Sequence, residues 1–244
     1  MRIDILTLFP KMFDGLLDCS IISRARERKL VEIRLHDIRE HAHDKHRVVD
    51  DYPYGGGAGM VLKPEPIFEA VETVKAELDV ASVPVILLSP QGRLFNQSVA
   101  RDLSGYENIV LICGHYEGVD ERVVKYLATD EISIGDYLLS GGEVAAMALT
   151  DCIARLIPGV LGSEESLTEE SHVGGLLEYP QYTRPEIFRG WEVPPVLLSG
   201  DHGEVARWRH QQSLLRTSQR RPDLIEKAAL SGEDKEFLGK ASNN

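Results

Sequence analysis

Residues 109–122 read IVLICGHYEGVDER, an uninterrupted apolar run that passes directly into a turn rich in glycine and acidic side chains. The apolar run predicts a buried strand over residues 109–113. Four further β-rich runs, at 3–8, 31–38, 83–88 and 131–134, alternate along the chain with helical patterns. Ile67, Val71, Val74 and Leu78 show the spacing of such a helix. The alternation predicts an α/β fold with a mostly parallel sheet covered by helices.

The composition of the chain is that of an ordinary folded protein. It has 244 residues, of which 43% are hydrophobic and 27% charged, and a net charge of −12. These values exclude disorder of the whole chain and predict one or two domains. The longest aliphatic stretch, around 85–88, is far shorter than the roughly 18 apolar residues that a membrane-spanning helix needs.

The N-terminus and the cysteines both indicate the cellular location. Asp4 interrupts what would have to be an apolar signal segment, so residues 1–10 are interpreted as mature sequence. Cys19, Cys113 and Cys152 are an odd number at wide spacing, without a CxxC pair. This pattern predicts a reducing, cytoplasmic location and no structural zinc site.

A change of pattern near residue 160 predicts two domains joined by a linker. A helix over 142–157 should end at Pro158, and residues 161–175 are acidic with little periodicity. Prolines then divide the chain until helical patterns return at 203–219, 222–230 and 233–240. We therefore expect an α/β domain at 1–160, a linker at 161–175 and a small all-helical domain at 176–244.

The acidic excess is confined to the first part of the chain. Residues 1–175 carry the whole net charge of −12, whereas residues 176–244 hold equal numbers of basic and acidic side chains. Between Glu204 and Asp223 there is no acidic residue, and this stretch contains Arg207, Arg209, Arg216, Arg220 and Arg221. A second basic stretch at 24–47 also contains acids and histidines. Either stretch can bind a polyanion, or both are solvated helix faces.

Three loops follow predicted parallel strands, at the edge where such sheets bind ligands. They read SPQGR at 89–93, GHYEGVD at 114–120 and GDYLLSGG at 135–142. Glycine allows a ligand to approach the main chain closely, although ordinary strand-to-helix turns contain glycine too. A fourth loop, DDYPYGGGAGM at 50–60, lacks the Rossmann and P-loop fingerprints and leaves backbone binding of a nucleotide-like ligand open.

Other catalytic patterns are missing from the sequence. It has neither the residue order of a serine hydrolase triad nor an HExxH zinc motif. His172, beside Glu169 and Glu170, is interpreted as a solvated side chain of the linker rather than as a metal ligand.

Seven segments in order resemble one family, the bacterial tRNA (guanine-N1)-methyltransferases, which are knotted SPOUT-class enzymes that methylate guanosine 37. The segments are MRIDILTLFP (1–10), PYGGGAGM (53–60), CGHYEGVDER (113–122), IGDYLLSGGE (134–143), RLIPGVLG (155–162), YTRP (182–185) and VPPVLLSG (193–200). The resemblance as a whole extends over almost the whole chain. The resemblance implies a SPOUT-type α/β domain with a deep trefoil knot in its C-terminal part, followed by a small all-helical domain.

The resemblance also implies the cofactor and the assembly. It implies a homodimer that binds tRNA, with each active site formed from the cofactor loops of one subunit and the linker and helical domain of the other. The methyl donor would be S-adenosylmethionine; a requirement for Mg²⁺ is left open. The cofactor-binding residues implied by position are Pro90, Gly92, Gly114, Tyr116, Glu117, Ile134, Gly135, Asp136, Tyr137, Leu138, Leu139, Gly141 and Gly142.

Two catalytic positions follow from the same resemblance. Arg155 takes the place of the family arginine that stabilises charge on the purine O6. Where the family has Thr-Glu-Asp-Ser, this chain has Glu170 in place of the aspartate base, and Glu169 is the competing assignment. His115 replaces an arginine that is common in the cofactor loop.

The expected tRNA contacts come from both domains. They are Asp51 and Gly59 in the fourth loop and Arg209, Arg216 and Arg220 in the helical domain. Two other interpretations remain open from the sequence: a non-catalytic RNA-binding module, and a SPOUT enzyme that methylates ribosomal RNA.

Overall fold

The structure is a computed structural model that describes residues 1–162, 170–172 and 174–241. The chain divides into two compact units, Met1–Gly162 and Ser163–Asn244. Most of the predicted linker, residues 163–169 and 173, lies outside the described residues. In the described part of the chain, no helix is both long and apolar enough to cross a membrane.

The centre of the first unit is a five-stranded sheet in which every neighbouring pair of strands is parallel. Its strand order is β2-β1-β6-β5-β7, and β3 and β4 form a separate antiparallel pair. The strands are β1 (Arg2–Thr7), β2 (Glu32–Asp37), β3 (Asp50–Asp51), β4 (Val61–Leu62), β5 (Val85–Leu94), β6 (Asn108–Cys113) and β7 (Asp130–Ser133). The predicted mostly parallel sheet is confirmed.

Helices cover both faces of this sheet. Along β6, Ile109, Leu111 and Cys113 pack on one face, while Val110 and Ile112 pack on the other. This two-sided burial explains the unbroken apolar run, because neither face of the strand meets water. The helices of the unit are α1 (Asp14–Leu17), α2 (Ser20–Glu27), α3 (Pro64–Leu78), α4 (Gln97–Ser104), α5 (Glu121–Tyr126) and α6 (Glu143–Ala154).

β5 is longer than predicted and contains an irregularity. Its pairing with β7 is interrupted between Leu88 and Arg93, both of which lie opposite Ile132. The segment SPQGR, which the sequence predicts to be a loop after the strand, is therefore a bulge within it. An added Cβ on Gly92 would lie 2.4 Å from the backbone of Glu131, so only glycine permits β7 to approach here.

Among its described residues, 170–172 and 174–241, the second unit is mainly helical and contains a small hairpin. It contains α7 (His202–Arg220), α8 (Pro222–Lys227) and α9 (Gly232–Ala241), and the antiparallel strands β8 (Ile187–Phe188) and β9 (Trp191–Glu192). α7 begins after Asp201, whose side chain accepts hydrogen bonds from the amides of Gly203 and Glu204. The three predicted helices are present, although α8 ends three residues before its predicted end at 230. The hairpin was not predicted.

A buried charged network holds β1 to its neighbours. Asp4 is fully buried and accepts hydrogen bonds from Arg2 at 2.7 and 2.8 Å. The Nε2 of His36 in β2 lies 2.7 Å from the same carboxylate, and Arg2 also donates to Glu77 at 2.9 Å. Burial alone raises the pKa of Asp4, but the hydrogen bonds from His36 and Arg2 outweigh it and hold this pKa below its ordinary value.

We predict that Asp4→Asn lowers the free energy of unfolding by about 3 to 5 kcal/mol at pH 7, because the buried Arg2 loses the carboxylate that compensates its charge. The contribution of a carboxyl with a lowered pKa is complete above its unfolded pKa of about 3.9 and disappears as the pH falls through the folded value. Urea unfolding at pH 7 and pH 3 measures this. Equal free energies of unfolding for the variant and the wild type at pH 7 would show that the network does not stabilise the fold.

Candidate active site

A cavity of about 530 Å³ lies at the C-terminal ends of β6 and β7 and beside the bulge of β5. The three segments that the sequence analysis singled out form its walls. One is the bulge of β5, the second is the turn after β6, and the third, residues 134–142, connects β7 to α6. This is the edge at which parallel sheets bind ligands.

Most of the predicted cofactor-binding residues line this cavity. Those in its walls are Pro90, Gly114, Tyr116, Glu117, Ile134, Gly135, Tyr137, Leu138, Leu139, Gly141 and Gly142. Gly92 and Asp136 are not among the lining residues. Gly92 instead packs on the backbone of β7, as described above. The structure therefore brings together eleven residues from three separate stretches of sequence.

The lining has a negative electrostatic character that the sequence analysis missed. Glu117, Glu121 and Glu131 contribute carboxylates, whereas none of the residues that line the cavity in the fully described first unit is Lys or Arg. Ser89, Gln91 and Ser140 add neutral polar groups. A site with this charge favours a cationic ligand and disfavours a phosphate. Glu117 was already implied by the resemblance, whereas Glu121 and Glu131 were not, and their closeness in sequence to the predicted loops was the only signal for them.

The wall formed by residues 134–142 lies directly against the end of β6. The amide of Gly142 donates to the carbonyl of Gly114 at 2.8 Å, and His115 forms an antiparallel bridge with Gly141. An added Cβ on Gly142 would lie 2.8 Å from the Cα of Cys113. Because a backbone atom cannot move aside as a side chain can, glycine is required at this position.

Glu143, the first residue of α6, connects this wall to β1 and to the turn after β6. Its side chain is only 1% exposed. One oxygen accepts a hydrogen bond from the Thr7 hydroxyl at 2.7 Å, and the other lies 3.0 Å from His115 Nε2. His115 thus contacts a buried carboxylate at the edge of the cavity. Burial, with the nearby charge of Glu143, raises the pKa of Cys113 well above its ordinary value, which keeps this thiol neutral.

The glycine-rich fourth loop is attached to the same site. The amide of Glu117 donates to the carbonyl of Met60 at 3.0 Å, and an added Cβ on Gly59 would lie 2.4 Å from the Glu117 carboxylate. Gly59 is therefore next to a residue of the cavity wall. Asp51, in β3 of the same hairpin, is exposed, and its carboxylate accepts a hydrogen bond from the amide of Tyr52.

The proposed catalytic pair is divided between the two units. Arg155 follows the last residue of α6 and is half-buried, and its amide donates to the carbonyl of Asp151. Glu170 belongs to the second unit and is also half-buried. Glu169, the alternative base, lies outside the described residues.

The arginines of α7 separate into two groups. Arg207 is paired with Glu204 at 3.0 Å, and Arg221, just after the helix, is paired with Asp223 at 2.7 Å. Arg209, Arg216 and Arg220 follow one another at spacings of seven and four residues, which places them on one side of the helix. Within the described ranges, these three have no carboxylate within 4 Å. They are the arginines available to an anionic ligand.

A parallel sheet with a ligand-sized cavity at its C-terminal edge places this unit in the class of α/β proteins that bind a ligand at the strand ends. Residues 1–227 match the family model described as tRNA (Guanine-1)-methyltransferase TrmD.

Three relatives named tRNA (guanine-N(1)-)-methyltransferase are similar over nearly the full length. That of Dehalococcoides mccartyi (strain ATCC BAA-2266 / KCTC 15142 / 195) is 59% identical over 98% of this chain and 96% of the relative. That of Moorella thermoacetica is 58% identical over 99% of this chain and 97% of the relative. That of Geobacillus kaustophilus is 58% identical over 98% of this chain and 97% of the relative. The chain therefore belongs to the tRNA (guanine-1)-methyltransferase family, and it is a methyltransferase.

We predict that Gly142→Ala lowers the free energy of unfolding by about 1 to 3 kcal/mol, because its Cβ overlaps the β6 backbone. Backbone strain does not contribute, since Gly142 has a φ of −76° and a ψ of −7°, which alanine adopts readily. Gly114→Ala is the matched control: its Cβ would meet its nearest neighbours at 3.7 and 3.8 Å, so we expect a change below about 1 kcal/mol. Urea unfolding of the two variants compares them, and equal midpoints would contradict the close approach.

Proposed function

We propose that this protein transfers the methyl group of S-adenosylmethionine to N1 of guanosine 37 in tRNA. The observation that carries the proposal is the carboxylate-lined cavity at the strand ends in a chain of this family. The names of the relatives state a tRNA and N1 of guanine. The methyl donor and position 37 come from the motifs quoted above.

The residues of the cavity fit S-adenosylmethionine. The volume of the cavity is within the range of about 300 to 1,000 Å³ that is typical of pockets for small ligands. Pro90, Leu138 and Leu139 offer apolar surface for a purine, and the glycines offer main-chain groups for hydrogen bonds. When bound, the donor supplies an activated methyl on a positively charged sulfonium. The carboxylates of the lining suit that charge, whereas a phosphate-bearing cofactor would be repelled.

The residues of the chain then have to position the guanine and remove the proton from its N1. Methylation of N1 requires that the N1 proton leaves, and a carboxylate placed by the ring can accept it. We assign this role to Glu170, with Glu169 as the alternative. As negative charge moves toward O6, the guanidinium of Arg155 stabilises it.

The tRNA is bound, in this proposal, by both units. Arg209, Arg216 and Arg220 contact backbone phosphates. Asp51, whose carboxylate is exposed, can accept a hydrogen bond from a guanine, and Gly59 allows the RNA to approach the wall of the cavity. The net charge of −12 would repel RNA elsewhere on the surface.

The assembly is part of the same proposal. The family resemblance supports a deep trefoil knot in the C-terminal part of an α/β domain spanning 1–160, a linker at 161–175 and a tRNA-binding domain at 176–244. It also supports a cytoplasmic homodimer with an active site shared between subunits. The apolar rim of the cavity fits such an interface, because Leu138 is 84% exposed and Tyr137 and Leu139 are also exposed.

The experiment that tests the proposed function is methyl transfer to defined RNAs. The protein is incubated with S-adenosylmethionine and an unmodified tRNA transcript that has G37, a matched transcript with A37, and ribosomal RNA. We expect 1-methylguanosine at position 37 of the first transcript alone. Binding of tRNA without transfer would favour the RNA-binding module, and transfer to ribosomal RNA would favour the other SPOUT activity.

We predict that Glu170→Gln lowers the turnover of methyl transfer by about 10² to 10⁴, because it removes the general base. The affinity for S-adenosylmethionine should not change. Glu170→Asp, which restores the residue of the family, should remain active. Single-turnover assays measure the rate. Normal turnover of Glu170→Gln, together with loss of turnover in Glu169→Gln, would move the base to Glu169.

We further predict that replacing Arg209, Arg216 and Arg220 together by Ala weakens tRNA binding. Each phosphate contact contributes roughly 0.7 to 0.9 to the slope of log K against log salt, so this slope should flatten by about 1 to 3. Filter binding from low to moderate salt measures it. A wild-type slope in the triple variant would assign the RNA to the basic stretch at 24–47 or to another surface.

A further inference from the structure

The second unit contains a cavity of its own, of about 430 Å³. It is bounded by residues 179–186, by the one-turn helix at 195–198 and by the first half of α7. All the residues that line it belong to the second unit, so it is distinct from the cavity at the ends of the strands. The proposed function gives it no role so far.

Arg209 places a guanidinium in the wall of this cavity. The guanidinium lies over the ring of Tyr179, 4.7 Å from the ring centroid, which fixes its plane. In the described part of the chain, Arg209 has no carboxylate within 4 Å, so its charge is not neutralised by an ion pair. A guanidinium held in this way suits an anionic ligand such as phosphate, which it binds through paired N–H groups.

The aromatic side chains of the cavity offer a surface for a flat ring. Tyr182 lines the cavity and is half exposed, and its ring centroid lies 6.4 Å from that of Trp208. Leu197 and Leu198 add apolar surface. Single-stranded RNA is bound by this combination, in which aromatic rings stack on bases while arginines contact the backbone.

Two polar side chains of the lining complete this pattern. Arg184 adds a second guanidinium, and in the described ranges it has no carboxylate within 4 Å. Glu186 adds a carboxylate, which can accept a hydrogen bond from the amino group of a base. An inorganic anion would use the arginines but neither the tyrosine nor the glutamate. The lining therefore suits a whole nucleotide better than a phosphate ion.

We propose that this cavity binds one unstacked nucleotide of the tRNA, with its base against Tyr182 and its phosphate at Arg209. The proposal rests on the proposed function in one respect, since it takes tRNA as the substrate. It goes beyond the phosphate contacts of α7, because it gives the second unit a site for a base. Stacking makes this contact tolerant of sequence, so it adds affinity and fixes the position of the RNA.

The test compares arginines on the same helix. Arg209→Gln and Arg207→Gln remove the same charge, but only Arg209 lines the cavity, while Arg207 is paired with Glu204 on the surface. We expect Arg209→Gln to weaken tRNA binding roughly tenfold or more and Arg207→Gln to change it less than about threefold. Tyr182→Leu, which keeps an apolar side chain without a ring, should also weaken it, by about 5-fold to 100-fold.

A fluorescence measurement reports on the cavity directly. The chain has two tryptophans, so Trp191→Phe leaves Trp208, beside Tyr182, as the only one. Unmodified tRNA should quench the Trp208 emission in this background, and Tyr182→Leu should reduce the quenching. Circular dichroism and S-adenosylmethionine titration check that each variant is folded.

The outcomes separate the two proposals. A wild-type protein that binds no tRNA would overturn the proposed function. Tight tRNA binding with unchanged Trp208 emission, and with equal affinities for Arg209→Gln and Arg207→Gln, would overturn only the nucleotide site. That result would leave the cavity to another occupant, such as a second copy of the chain.

Discussion

The approach of residues 134–142 to the end of β6 is the contact on which the candidate site depends. Gly142 lies so close to Cys113 that no side chain fits between them, and its amide bonds to the carbonyl of Gly114. Glu143 then enters the core as the first residue of α6 and bonds to Thr7 in β1 and to His115. This single set of contacts closes one wall of the cavity and ties it to the centre of the sheet. Contacts within the protein that hold a wall in place reduce the conformational entropy that is lost when a ligand binds.

The distribution of charge fits the proposed reaction on both sides. The cavity of the first unit has three carboxylates and no basic side chain in its lining, which suits a sulfonium. On α7, the arginines without a nearby carboxylate all lie on one side of the helix, which suits an RNA backbone. A chain with a net charge of −12 can bind a polyanion because salt screens surface charges beyond about 10 Å. In the proposed reaction, the positively charged cofactor therefore faces a negatively charged cavity, and the negatively charged RNA faces a positively charged side of α7.

The sequence was informative where a pattern reports burial or backbone freedom, and less so where distant contacts decide. The alternation of apolar runs such as β6 with helical patterns predicted the sheet, and the family resemblance supplied the eleven residues that line the cavity wall. Gly92 is a residue whose role the sequence did not reveal. Its motif places it with the cofactor-binding residues, but in the structure its lack of a side chain allows the close contact with β7. Glu143 is another such residue, because a glutamate at the start of a helix is ordinary in sequence, and only the fold buries it against Thr7 and His115. The short hairpin of β8 and β9 was missed because two-residue strands have no measurable periodicity.

Calorimetric titration of S-adenosylmethionine into Gly141→Val tests the central claim most directly. An added Cβ on Gly141 would lie 2.1 Å from His115 Nε2 and 2.5 Å from the Glu143 carboxylate, so valine forces these two side chains out of the positions in which they hold the wall. Gly15→Ala, which meets no atom within 4 Å, is the control. The account predicts binding by the wild type and by Gly15→Ala, and loss of binding by Gly141→Val with an unchanged circular dichroism spectrum. Undiminished affinity in Gly141→Val, or no binding by the wild type, would contradict it.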